Sequence, residues 1–194
     1  MSVLSNTIIK AYIEDGRIVI DPAPKQDEGD NSPYDACSVQ LHIGDTLHVP
    51  KKNLKLAFDL SQSSGKLNDT IDAICDCVTI PETGYVLDQG SFVLAKTKET
   101  ISFPPREEKA LAGRIEGRSS FARTGLLVHF TAPTIHAGFE GTITLELLNH
   151  GPMPLILKPG LAICQLIVET VRGTPKIDKP SQFQGQNTPS GGIK

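Results

Sequence analysis

Short alternating segments closed by glycine and proline constrain this chain more than any other feature. From Cys75 to Phe103 it reads CVTIP, YVL, a DQG turn and SFVLAKTKETISFP. The β-branched and apolar content and the closing prolines predict antiparallel strands. Upstream, RIVIDPAP and ACSVQLHIGDTLHVP alternate in the same way. In the second of these, Cys37, Val39, Leu41 and Ile43 share one predicted face, and Ser38, Gln40 and His42 the other. Downstream, PMPLILKPGLAICQLIVETV supplies two more strands around a KPG turn. No internal repeat of roughly 20 to 50 residues is present, so a solenoid or propeller is not indicated. The expected class is mainly β, a distorted barrel or jelly-roll-like sandwich.

The remaining segments punctuate the strands. Ser5 can cap a helix from about Asn6 to Glu14, with Ile8, Ile9, Tyr12 and Ile13 as its apolar stripe and Gly16 as its stop. Lys25 to Asp35 reads as a surface loop, Lys51 to Asp72 as an insertion or flap around SQSSGKLND, and Arg106 to Ala112 as a short charged connection. From Gly173 onward the chain is rich in Gly, Pro, Gln and Ser and cannot build a core of its own. One domain over residues 1–194 is therefore expected, with 173–194 a mobile tail. With 194 residues, 39% of them hydrophobic, the chain can bury a full core.

Charge and cysteine usage narrow the partners. A net charge of −3 gives no bulk attraction to nucleic acid, though a few local arginines can still hold a small anion. The N-terminus lacks a long apolar core behind basic residues, and no apolar run reaches the roughly 18 residues of a membrane span. A soluble, cytoplasmic protein without a membrane partner is the expectation. Cys37, Cys75, Cys77 and Cys164 form neither a disulfide framework nor a C-x-x-C pair, so they read as buried or half-buried free thiols. His42 and His48 have no partner at metal-ligand spacing and read as solvated strand positions.

Chemistry concentrates between Gly117 and Asn149. RSSFARTG predicts one or two helical turns, capped by Ser119 or Ser120 and ended by Gly125 in the left-handed conformation. Two readings of this turn stand. Its opening N–H groups, two hydroxyls and the Arg118 cation can cradle phosphate oxygens, with Ser119 and Arg123 four apart on one face. Equally, it can be an ordinary capped surface turn. In GTITLELLN, Ile143, Leu145 and Leu147 share one face and Thr142, Thr144 and Glu146 the other. If that second face meets solvent, Glu146 is a plain surface carboxylate; if it lines a cleft, Glu146 is placed to move protons. The intervening TAPTIHAGFEG has the small residues of a tight loop that lets a ligand approach.

The order of EGRSSFARTGLLVHFTA, GFEGTITLELLN, KPGLAICQLIVE and a final FQGQ closely resembles the dCTP deaminases of the trimeric dUTPase-like superfamily, most strongly from Gly117 to Glu169. The resemblance implies hydrolytic deamination of dCTP to dUTP and ammonia without zinc. Glu146 would take a proton from water for attack on C4, and Ser119 and Arg123 would position that water and the base. Arg118, Ser119 and Ser120 would hold a triphosphate carried with Mg2+. The loop of Thr131, Ala132, Pro133 and Thr134 would contact the base, His136 the sugar, and Gln165, Phe183 and Gln186 would complete nucleotide binding as the tail closes. The same resemblance implies a homotrimer with shared sites, and dUTP or dTTP as product or inhibitor. Zinc deaminases of bases carry H-x-E with P-C-x-x-C, which this chain lacks, so the carboxylate has to activate water.

Three positions depart from that pattern. His136 stands where relatives usually carry an aspartate that, in dUTP hydrolysis, orients the attacking water. Thr134 replaces an arginine of some members, and Gln182 a lysine, for which Lys176 or Lys179 can substitute. Alternatives to deamination alone are therefore a dUTP pyrophosphatase, a bifunctional enzyme giving dUMP, and a nucleotide-binding regulator with reduced turnover.

Overall fold

The computed structural model describes residues 2–25, 29–55, 57, 59, 67–105, 109–177 and 181–193. Helix α1 spans Asn6–Glu14, and the Ser5 hydroxyl accepts from the Ile8 amide at 3.5 Å as its cap. The strands are β1 (Val19–Asp21), β2 (Tyr34–Asp35), β3 (Ser38–Pro50), β4 (Cys75–Thr79), β5 (Tyr85–Leu87), β6 (Phe92–Ser102), β7 (Leu111–Gly117), β8 (Leu126–Leu127), β9 (Thr134–Ile135), β10 (Glu140–Asn149), β11 (Leu155–Leu157) and β12 (Ala162–Thr170). Helix α2 (Leu67–Ile74) precedes β4, and α3 (Ser119–Ala122) follows β7.

The principal sheet runs β8-β10-β6-β3-β12-β7-β9, with β1 on β6 and β2 and β4 on β3; β5 and β11 form a separate ribbon. All its pairings are antiparallel, and the sheet curls into part of a barrel, as the alternating segments predict. Strand β3 makes the corner. Its first half pairs with β12 through Val39 to His42, and its second half pairs with β6 and β4. Between Ile43 and Leu47 the register with β6 shifts, a bulge of the kind that turns a strand from one sheet direction to another. Glu99, buried at 4% exposure, holds this bend: one carboxylate oxygen accepts from the His42 amide at 2.9 Å, and the other lies 2.6 Å from His42 Nδ1. Inside the curl, Leu41, Ile43 and Leu47 meet Ala95, Ile101, Leu145, Leu147, Ile163, Leu166 and Val168 in one buried cluster.

The structure corrects several expectations. His48 is 3% exposed rather than solvated, because α2 lies over this face and brings Asp72 Oδ1 within 3.4 Å of His48 Nδ1. His42 is half-buried on Glu99. Cys37 is exposed in the turn between β2 and β3 instead of joining the face of Val39, while Ser38 is buried. Cys77 is exposed as well; Cys75 and Cys164 are buried, and all four thiols are free. Ile9 carries the packing of α1, with Tyr12 and Ile13 partly buried, while Ile8 is exposed. Part of the expected flap belongs to α2, and its residues 60–66 lie outside the described residues, as do 106–108 of the charged connection and Lys179 of the tail. Among the described residues no helix is long and apolar enough to cross a membrane.

Candidate active site

Strand β10 organises the site because its two edges are used unequally. One edge pairs with β6 along most of its length. On the other, β8 covers only Leu148 and Asn149. At the opposite end the C-terminal tail covers Glu140 to Thr142: the Gly185 amide donates to Glu140 O at 2.7 Å, and the Thr142 amide to Gln186 O at 2.9 Å. Glu146 falls between these two coverings, on the outer face of the sheet, with Leu145 and Leu147 fully buried behind it. The alternation read from GTITLELLN holds for Thr144 and Glu146. It fails at Thr142, which is buried, because a bulge between Thr142 and Thr144 resets the register and the tail covers that end.

The side chain of Glu146 is 29% exposed, and its Oε2 lies 2.8 Å from Nδ1 of His129, itself 11% exposed. Neither atom has an aligned hydrogen-bond partner among the described residues, so the contact is a close approach of imidazole and carboxylate rather than a formed hydrogen bond. Register explains why they meet. Leu126 opposes Asn149 and Leu127 opposes Leu148, and continuing that pairing by two residues sets His129 across from Glu146. Sequence reasoning missed His129. The signal was present in LLVHFTA, where a histidine follows an alternating strand, but it depends on a pairing partner that lies far along the chain.

The arginine turn sits at the other end of β8. Arg118, not a serine, occupies the N-cap position with extended backbone (φ −78°, ψ 131°), and no side chain caps the turn. Strand β7 ends at Gly117, so the chain enters the helix one residue earlier than the serine caps require. Ser119 and Ser120 are consequently exposed with free-standing hydroxyls at the head of α3. The Arg118 guanidinium donates to Ala162 O at 3.0 Å and stacks 5.4 Å from the Phe121 ring, while Arg123 is exposed. Gly125 ends the turn with φ 90°, as expected, and accepts from the His150 amide at 2.9 Å. A Cβ there would collide with Gly151, so glycine is required twice over.

The other expected site residues are distributed around this axis. Thr131 and Ala132 are exposed on the connection from β8 to β9, Thr134 is exposed at the start of β9, and Pro133 accepts from the Ile115 amide at 3.1 Å, which ties the loop to β7. His136 is exposed in the turn before β10, where Gly138 (φ 83°) and Gly141 (φ 148°) give the tight loop its shape. Gln186 is buried against β10, its Nε2 donating to Thr142 O at 2.6 Å, and Phe183 packs on the core. Gln165 stands apart on β12, three strands from β10 in the sheet order, with its Oε1 accepting from Ser38 at 2.9 Å. Glu146 lies three residues before Asn149, so about 10 Å of strand separates it from the α3 end of β10. No contact within the described chain joins Ser119 or Arg123 to Glu146.

The dCTP deaminase-like family model matches residues 3–171. This chain belongs to the dCTP deaminase family. A relative named dCTP deaminase from Rhodospirillum rubrum is 39% identical over 87% of this chain and 82% of its own. Another, from Methanosphaera stadtmanae and named dCTP deaminase, dUMP-forming, is 35% identical over 97% of this chain and 92% of its own. A crystal structure of 2'-deoxycytidine 5'-triphosphate deaminase from Agrobacterium tumefaciens shares the fold at TM-score 0.63 and 16% identity, covering 87% of this chain and 48% of that one. The relatives are named as enzymes, and the chain shares the fold of the solved deaminase.

Proposed function

We propose that this dCTP deaminase family member hydrolyses dCTP to dUTP and ammonia, with Glu146 as the proton-transfer group. The observation that carries the reading is a half-exposed carboxylate, paired with an imidazole at 2.8 Å, on the uncovered stretch of the β10 edge. Glu146 takes a proton from water as its oxygen bonds to C4 of the cytosine. That proton passes to N3 as the C4–N3 double bond becomes single; the second water proton, taken from the new C4 hydroxyl, goes to the amino group as the C4–N bond breaks, so ammonia leaves and the ring keeps the water oxygen as a carbonyl beside N3–H. His129 holds the carboxylate in place and stabilises its charge. Ser119 and Arg123 position water and base, and Arg118 with Ser120 receives phosphate oxygens.

These groups meet in one site when α3 of one copy faces β10 of another, which supports a homotrimer with shared sites. Leu127 and Phe130 remain exposed beside this region, the latter 5.8 Å from the Phe92 ring, and offer apolar surface for such an assembly. Mg2+ would be carried on the substrate triphosphate, as the resemblance implies; among the described residues no three His, Cys, Asp or Glu side chains converge as a metal site.

The dUMP-forming relative favours a second reading, in which dUTP is hydrolysed onward. The exposed His136 lacks the fixed charge of the aspartate implied at that position, so deamination alone is the main reading. Incubation with dCTP, dCMP, CTP and dUTP plus Mg2+, with products separated by chromatography, decides. Ammonia and dUTP from dCTP support the first reading and dUMP with pyrophosphate the second. Tight binding without products would replace both by a nucleotide-binding regulator.

A further inference from the structure

The C-terminal tail crosses the outer face of the sheet as a strap. It is fixed at one end on β10, where the Gly185 amide donates to Glu140 O and the Thr142 amide to Gln186 O, and Gly141 leaves room for the crossing: a Cβ there would lie 3.0 Å from Gln186 O. Beyond Gln186 the strap is not packed flat. It roofs an open cavity of about 280 Å³ floored by Thr46 and His48 of β3, Cys77 of β4 and Lys96 of β6. The loop that follows closes on itself: the Asn187 amide donates to Gly192 O at 2.9 Å, and the Gly192 amide to the Thr188 hydroxyl at 2.8 Å. Thr188, Ser190 and Gly191 are nonetheless buried, and Gly191 folds back against Phe183 and Gln186, so a grip on Gly191 bears directly on the end anchored to β10.

That grip comes from α2. Asn68 Nδ2 donates to Gly191 O at 3.3 Å. The helix is itself seated on the sheet, through Asp72 at 3.4 Å from His48 and through Lys51, whose Nζ donates to Ala73 O at 2.8 Å and whose amide donates to Ile74 O at 2.9 Å. We infer that α2 is a clasp on the C-terminal strap, and that Asn68 is a positioning residue which keeps Gln186 against Thr142, on the same β10 edge four residues from Glu146. For catalysis this rests on the deaminase reading above; for the strap itself it does not. The tail needs no core of its own, because it is held at both ends by elements of the barrel wall.

The test uses the full chain with Asn68→Ala and Asn68→Asp, the second keeping the side-chain size while removing the donor. One neutral hydrogen bond changes a local opening equilibrium by a few-fold to about tenfold. Amide hydrogen exchange at Thr142 and Gly185 is therefore expected to quicken by about three- to tenfold in both variants, with Leu166 in the core unchanged. With dCTP, kcat/KM falls by a similar factor, and the effect disappears in a chain ending at Gln186. Unchanged exchange at Thr142 and Gly185, or equal acceleration at Leu166, overturns the clasp. An Asn68 effect that persists in the shortened chain does so too. Exchange needs no turnover, so absence of deamination in the parent would sink the catalytic reading and leave the clasp to stand or fall on its own.

Discussion

Replacing Glu146 by glutamine separates chemistry from scaffold. The amide keeps the shape of the carboxylate on a side chain 29% exposed, and Leu145 and Leu147 behind it stay in the core. The stability cost is the loss of a partly solvated pairing with His129, less than about 1 kcal/mol. For a chain of this size that is a Tm change within about 4 °C. The activity cost is much larger, because an amide cannot accept the proton of the attacking water; a positioned acid–base group contributes about 10²- to 10⁴-fold. Ammonia release from dCTP by Glu146→Gln should fall at least a hundredfold, while dCTP binding, followed by calorimetry, stays within a few-fold of the parent. A variant that keeps more than about a tenth of the parental kcat would refute the assignment. So would a loss of activity accompanied by loss of the cooperative melting transition, which would make Glu146 a folding residue.

The pairing with His129 predicts that His129→Gln lowers kcat about tenfold or more and changes KM less, since the imidazole acts through the carboxylate; an effect confined to KM would place it on the substrate instead. His136→Asp, in an exposed turn that tolerates the change, should create or raise dUTP hydrolysis, measured as pyrophosphate release, and no increase would remove the argument from the missing carboxylate. Burial pushes the Cys164 thiol far above its usual range, with the Glu99 carboxylate adding to the shift, and burial raises Cys75 as well, whereas Cys37 and Cys77 are exposed. Iodoacetamide at about pH 8 should therefore label Cys37 and Cys77 in the native protein and spare Cys164, as read by peptide mass, because the thiolate is the reacting form.

The strands were legible because each carries its signal locally. Alternation in ACSVQLHIGDTLHVP and GTITLELLN reports a face buried by whatever packs there, and the Ser5 cap of α1 and the glycines after α1, after the arginine turn and before β10 report backbone shape, whereas the expected serine cap of the arginine turn did not form. What was not legible depends on covering by distant elements. His48 looked solvated because the sequence does not say that α2 lies over it, and Thr142 looked like an outward residue because neither the bulge nor the tail is encoded near it. Cys37 fell off its predicted face since the hairpin turn occupies Ala36 and Cys37 and the strand starts only at Ser38. Glu99, which fixes the β3 corner, read as one more polar residue of an alternating strand.

The same distinction divides the site. Glu146 could be named from its own strand, but whether its face met solvent or a cleft turned on what occupied the free edge of β10. Both neighbours there come from elsewhere: β8 brings His129 to the carboxylate, and the tail brings Gln186 to Thr142. Glu146 projects from the outer face of β10, and β8 pairs only with Leu148 and Asn149. The strand is short because chain leaves it after Leu127 and crosses to β7, where Pro133 and Thr134 dock.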